Sequence, residues 1–157
     1  MIFFGHIGIT AFFGSLLSLS IIFLIIGAVL PDIIDKPLQI VGISTSGRSI
    51  GHTLFMGLVV SGITLLITRK KYPAISLLFG YWVHLLEDAQ YFVSWFYPFI
   101  NYDFPSYPFG PRLILSNIVF EILGVLSLVY VIHTNTQFRN LIVNNFNLII
   151  KKKKIPE

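Results

Sequence analysis

Residues 74–96 read AISLLFGYWVHLLEDAQYFVSWF, and the fold turns on how this stretch is read. Its length and apolar character suit a membrane-spanning helix, which needs about 20 such residues. Yet it carries His84, Glu87 and Asp88. Four residues apart on a helix, His84 and Asp88 point the same way, one turn above the other. Ionisable groups inside a bilayer are costly unless paired or bound, so this pair is a candidate chelate for one cation. A structural His–Asp hydrogen bond is the plainer alternative. Glu87 is a spare acid that serves the same cluster or faces the loop.

Working outward, two more stretches qualify as spans. Residues 51–68 read GHTLFMGLVVSGITLLIT and stop at Arg69-Lys70-Lys71; residues 113–133 read LILSNIVFEILGVLSLVYVIH and follow Gly110-Pro111-Arg112. Pro98 is a natural stop for the helix of 74–96, and the Pro-, Tyr- and Phe-rich residues 97–112 suit an interfacial loop. The expectation is an all-α, multi-pass integral membrane helical bundle, residues 1–134, with three spanning helices. Residues 135–157 form a basic tail that suits a helix lying on the membrane surface.

Composition agrees. Of 157 residues, 55% are hydrophobic and only 11% charged, against about 25% charged in soluble domains; the mean hydropathy is +0.81. No cysteine is present, so thiolate nucleophiles and thiolate metal sites are excluded. The net charge of +4 comes from scattered residues and two short clusters, which argues against a nucleic-acid partner. No basic segment precedes the apolar N-terminus, so residues 1–30 are read as part of the mature fold rather than a signal peptide.

Those two clusters orient the chain. Connecting the spans in order places Arg69, Lys70, Lys71, Arg139 and Lys151 to Lys154 on one side, eight of the eleven basic residues. The positive-inside rule makes that side cytoplasmic. Six of the seven acids and three of the four histidines then fall in the outer half. At about 1.5 Å rise per residue, His52 and Asp88 lie about 24 Å above the cytoplasmic ends, and His84 and Glu121 about 18 Å. His133, at the cytoplasmic end, is expected to carry no chemistry.

The first segment admits two readings. Residues 7–30 form one long span, which leaves His6 about 39 Å from Asp32, or Gly14, Ser15, Ser18 and Ser20 break it into a hairpin of two half-length helices. The hairpin is preferred because it returns His6 to Asp32. Pro31-Asp32-Ile-Ile-Asp35-Lys36-Pro37 reads either as acids at the site or as an ordinary helix stop. Arg48-Ser-Ile-Gly-His52-Thr53 reads as a metal-binding His with an anion-binding Arg, or as an interfacial cap. Glu121 is a functional candidate as an intramembrane acid, with a neutral hydrogen-bonded Glu as the alternative.

Taken in order, Gly5-His6, Gly27-Ala-Val-Leu-Pro31-Asp32 with Asp35, Arg48 ahead of Gly51-His52-Thr53, and His84 with Asp88 resemble the pattern of the YdjM-type family of membrane-bound metal-dependent hydrolases. The resemblance runs to about Pro98. Two positions depart from it: Asp35 follows Asp32 by three residues rather than two, and Gly47 stands where a His often precedes the Arg. Asp35 is therefore left outside the ligand set. The family is remotely similar to zinc-dependent phospholipase C, which implies phosphoester hydrolysis as a class.

The expected metal ligands are His6, Asp32, His52, His84 and Asp88, with Glu121 as a further ligand or general base. Such donors suit zinc, with manganese or iron as alternatives. Arg48, with Lys36, is expected to hold the phosphate of a phospholipid or polyprenyl phosphate at a pocket ringed by Trp95 and Tyr97. Membrane lipid is thus both solvent and substrate. A metal or proton transporter and a non-enzymatic scaffold with a structural polar cluster are the rival readings.

Overall fold

The computed structural model describes residues 3–105, 115–136, 139, 140 and 143. The described residues form five α-helices and no strand: α1 (Phe3–Leu16), α2 (Ile21–Ile40), α3 (Leu54–Thr68), α4 (Lys71–Glu87) and α5 (Leu115–Thr134), with one 3₁₀ turn at Ile50–His52. Arg112, the helix start at 110–112, and the surface helix and lysines expected in the tail fall outside the described residues.

The chain reverses between α1 and α2. Ser18 adopts a left-handed φ of 56°, and the Leu19 N–H donates to the Gly14 carbonyl (2.9 Å). That arrangement closes a helix C-terminus and lets the chain turn back. The Ser20 N–H is then held by Ser76 Oγ at 3.0 Å. The hairpin forms at the small residues that signal it, but its second arm is not half-length. α2 continues ten residues past Leu30, through Pro31 and Pro37, to Ile40. Each proline deletes one i→i−4 bond, and the remaining ladder carries the helix on, so Asp32 and Asp35 are helical residues rather than loop residues.

α4 differs in the opposite sense. The expected helix of 74–96 ends at Glu87, with Asp88 as its C-cap. Residues beyond it turn back toward α3, where the Leu54 N–H donates to the Trp95 carbonyl (3.0 Å) and Ser94 Oγ to the Ser49 carbonyl (2.7 Å). His52 lies in the 3₁₀ turn before α3, whose N-cap Thr53 accepts from the Met56 N–H at 3.0 Å.

Packing depends on glycine. α2 lies most extensively against α4, and α1 against α5. A Cβ at Gly27 would overlap the Leu77 carbonyl, and one at Gly80 the Leu24 carbonyl; Gly8 and Gly124 bring α1 and α5 together similarly. Helices in lipid gain from such close backbone approach, because apolar burial drives little association there. The outward faces of α3 and α5, including Leu58, Leu66, Ile67, Leu115, Ile122 and Leu126, are exposed. A contiguous apolar exterior of this size marks an interaction with lipid or protein.

Among the described helices, α5 alone is both long and apolar enough to cross a bilayer by itself. α3 and α4 have 15 and 17 residues, or about 22 and 26 Å against a hydrocarbon core of about 30 Å. α2 is long enough at 20 residues but carries Asp32, Asp35 and Lys36.

Candidate metal centre

Four segments bring the polar side chains to one end of the bundle. α1 supplies His6, the second half of α2 supplies Asp32 and Asp35, the 3₁₀ turn supplies His52, and the end of α4 supplies His84, Glu87 and Asp88. His6, Asp35, His52, His84 and Asp88 are buried; Asp32 keeps partial access.

Each imidazole is held at Nδ1 by an oxygen. His52 Nδ1 lies 2.7 Å from Asp35 Oδ2, His84 Nδ1 2.6 Å from the Ala28 carbonyl, and His6 Nδ1 2.6 Å from Glu87 Oε2. A carbonyl or ionised carboxylate only accepts, so the contacts of His84 and His52 put the proton on Nδ1, while at the His6–Glu87 contact either group can carry it. The Nε2 lone pairs of His52 and His84 are thereby left for something else.

The Nε2 atoms meet one another and two carboxylates. His52 Nε2 and His84 Nε2 are 3.3 Å apart. Asp88 Oδ2 is 3.6 Å from His52 Nε2 and 3.9 Å from His84 Nε2, Asp88 Oδ1 is 3.5 Å from His6 Nε2, and Asp32 Oδ1 is 3.8 Å from His52 Nε2. The His6 and His84 rings stack with centroids 4.0 Å apart.

Two lone pairs facing each other at 3.3 Å repel unless a proton or metal ion lies between them. Corners of a tetrahedron whose centre is about 2.0–2.1 Å away are about 3.3–3.4 Å apart. The measured separations begin at that value. The donors form two overlapping triplets, His6–His84–Asp88 and Asp32–His52–His84, with His84 common to both. Charge gives a second test of fit. With neutral imidazoles, ionised Asp32, Asp35 and Asp88 outnumber the cations Lys36 and Arg48, an excess that a bound cation offsets. Buried charge without a counter-charge is expensive. The residues fit a metal ion.

A comparison with family models places this architecture. A model described as YdjM inner membrane protein matches residues 1–149. The chain belongs to that family. As a YdjM family member it is a membrane protein, which accounts for the apolar exterior of α3 and α5. Comparison with curated proteins finds no match, and comparison with solved structures finds none either.

The site of this YdjM family member gathers the five ligand candidates read from the sequence and separates out Glu121. The Glu121 oxygens accept the N–H groups of Phe4 (2.9 Å) and Gly5 (3.1 Å). They satisfy donors that the first turn of α1 leaves unpaired, and Glu121 belongs to neither triplet. Arg48 Nε donates to Asp88 Oδ2 at 2.7 Å, and its guanidinium lies 4.6 Å from the centre of the Tyr91 ring. Lys36 Nζ donates to Asp32 Oδ2 at 2.6 Å. Tyr91 donates to Asn117 Oδ1 at 2.7 Å, and buried Tyr81 donates to the Gly51 carbonyl beside His52. Sequence reading singled out neither tyrosine. The one available signal was spacing, since Tyr81 precedes His84 by three residues on α4.

Proposed function

We propose that this protein is a membrane-bound metal-dependent hydrolase, a phosphoesterase that acts on a lipid phosphate from the extracytoplasmic side. The observation that supports it most is the shared orientation of three histidines, each anchored at Nδ1 and each offering Nε2 toward Asp88 or Asp32. A merely structural cluster has no need to turn three Nε2 atoms toward the same carboxylates.

His6, His52, His84, Asp88 and Asp32 would hold the ion, with zinc favoured by the nitrogen-rich donors and manganese or iron as alternatives. When bound, a divalent ion lowers the pKa of a water and polarises a phosphoryl oxygen. The chain's own groups do the rest. Arg48 carries no other side-chain bond at its terminal nitrogens among the described residues, so it offers a planar pair of donors to phosphate oxygens. Asp32 and Lys36 line the accessible edge, the side chain of Lys36 being half exposed. Lys36 is a second cation for an anionic headgroup. Glu121 accepts the Phe4 and Gly5 N–H groups, which favours a role in holding α1 over one in proton transfer.

The proposed topology has three spans, α3, α4 and α5, lengthened by their flanking turns. The loop at 69–71 lies in the cytoplasm by the positive-inside rule. That rule puts the histidine end outside, within reach of lipid headgroups.

Elemental analysis of the purified protein tests the reading, beside His84→Ala and Asp88→Ala variants and hydrolysis of a lipid phosphate in mixed micelles. About one or two equivalents of metal, lost in both variants, with chelator-sensitive hydrolysis, is the expected result. Metal content unchanged in both variants contradicts it, and metal binding without hydrolysis favours the transporter.

A further inference from the structure

The Asp35 carboxylate accepts five hydrogen bonds. It is fully buried. Its Oδ2 accepts from the Ser49 N–H (2.6 Å), the His52 N–H (3.0 Å) and His52 Nδ1 (2.7 Å), and its Oδ1 accepts from Ser49 Oγ (2.7 Å) and the Gly51 N–H (2.8 Å). A carboxylate offers about four lone-pair directions. Five donors use them all, so Asp35 has nothing left for a metal.

Every one of those donors belongs to residues 49–52. Asp35 thus ties the segment that carries Arg48 and His52 to the helix that carries Asp32. It lies one turn from Asp32 on α2, and no other described side chain accepts from His52 Nδ1. Tyr81 grips the same turn from α4 through the Gly51 carbonyl.

We infer that Asp35 is a positioning residue that fixes the tautomer and orientation of His52, so that Nε2 faces His84 and Asp88 as a metal donor. The inference rests on the metal-site reading above. Outer carboxylates of this kind orient a ligating imidazole and raise its basicity, and their loss typically costs about 10–100-fold in metal affinity. An Asp at this position cannot be replaced by Asn without cost. An amide presents a donor at one of its two atoms, and each Asp35 oxygen receives at least two donors.

The test uses full-length protein in detergent micelles, with ¹⁵N-labelled histidine. Long-range ¹⁵N–¹H spectra report the His52 tautomer without metal, and competition with a chelator reports zinc affinity. Wild type should show His52 as the Nδ1–H tautomer. Asp35→Asn should shift it toward Nε2–H and weaken zinc binding about 10–100-fold, with the helical circular dichroism unchanged. Ser49→Ala removes a donor to the same carboxylate that the imidazole does not use, and should keep the tautomer and change zinc affinity less than about threefold, the size of a modest single bond.

Wild-type His52 in the Nε2–H form overturns the inference, whatever the variants do. So does an Asp35→Asn protein with unaltered tautomer, or a Ser49→Ala protein weakened as much as Asp35→Asn. Should wild type take up no zinc, the hydrolase reading falls, while the metal-free tautomer comparison still decides the role of Asp35.

Discussion

At one end of the bundle, α1, α2, the 3₁₀ turn and α4 bring together three imidazoles and four carboxylates. At the other, the turn from α1 to α2, the start of α4 and the end of α5 enclose a cavity of about 560 Å³ lined by Ser15, Ser18, Ser20, Tyr72 and Thr134, with no histidine, acid or base among its described lining. The roomy end has hydroxyls, which water satisfies. The other end has imidazoles and carboxylates that face one another within reach of one ion. Room alone does not make a reactive site; converging donors that lack a partner do.

Substitutions at the two ends should therefore differ sharply. The largest effect is expected from Asp88→Ala, which removes the carboxylate that reaches His6, His52 and His84 and also leaves Arg48 without its carboxylate partner. Metal uptake should fall below detection by elemental analysis, and stability by about 3–5 kcal/mol, as for breaking a buried ion pair. An Asp88→Ala protein that retains its metal would erase the distinction between the two ends.

Next comes Arg48→Ala. Metal should stay bound, but affinity for a phosphate analogue should drop by about 1.5–3 kcal/mol, the value of hydrogen bonds to a charged group. Competition by inorganic phosphate or a soluble lipid-phosphate analogue measures it. Loss of metal together with phosphate affinity would mean that Arg48 supports Asp88 rather than substrate.

Glu121→Gln sharpens the boundary of the site. The amide keeps one acceptor for the start of α1, so thermal unfolding should register a loss of about 0.5–2 kcal/mol, as for a helix cap, with metal content equal to wild type. Reduced metal would return Glu121 to the ligand set.

The smallest effect belongs to the roomy end. Ser18→Gly relieves a left-handed conformation at φ 56° and should stabilise by less than about 1 kcal/mol, with no change in metal. A clear destabilisation in the same unfolding assay would show that the Ser18 hydroxyl, not the backbone, closes the hairpin.

The legibility of this arrangement in the sequence follows from what one-dimensional spacing encodes. His84 and Asp88 share a helical face because of their four-residue spacing, and that much is local. The level shared by His52 and Asp88 follows from rise along a helix, although His52 stands in the turn before α3. Glu121 shows the limit of the same arithmetic. Rise gives depth but not direction around the axis, and Glu121 faces the first turn of α1 rather than the histidines.

Asp35 was illegible for a different reason. Its partners come from a loop 14 to 17 residues onward, and loop closure leaves no periodic trace. The membrane helices show a related effect. Apolar composition marks residues 74–96 as one span, yet α4 ends at Glu87, seven residues after Gly80, with its C-cap Asp88 turned to Arg48 and the imidazoles. At Pro31 and Pro37, local propensity says stop, and packing of α2 along α4 through Gly27 and Gly80 carries the helix past both.

X-ray absorption at the zinc edge of the zinc-loaded, full-length protein probes the centre itself. Nitrogen and oxygen scatterers at about 2.0–2.1 Å, with the outer-shell signature of two or more imidazoles that weakens in His52→Ala, are the predicted outcome. A zinc ion surrounded only by water or carboxylate oxygen, with no imidazole scattering, would contradict the claim that these histidines converge on a metal.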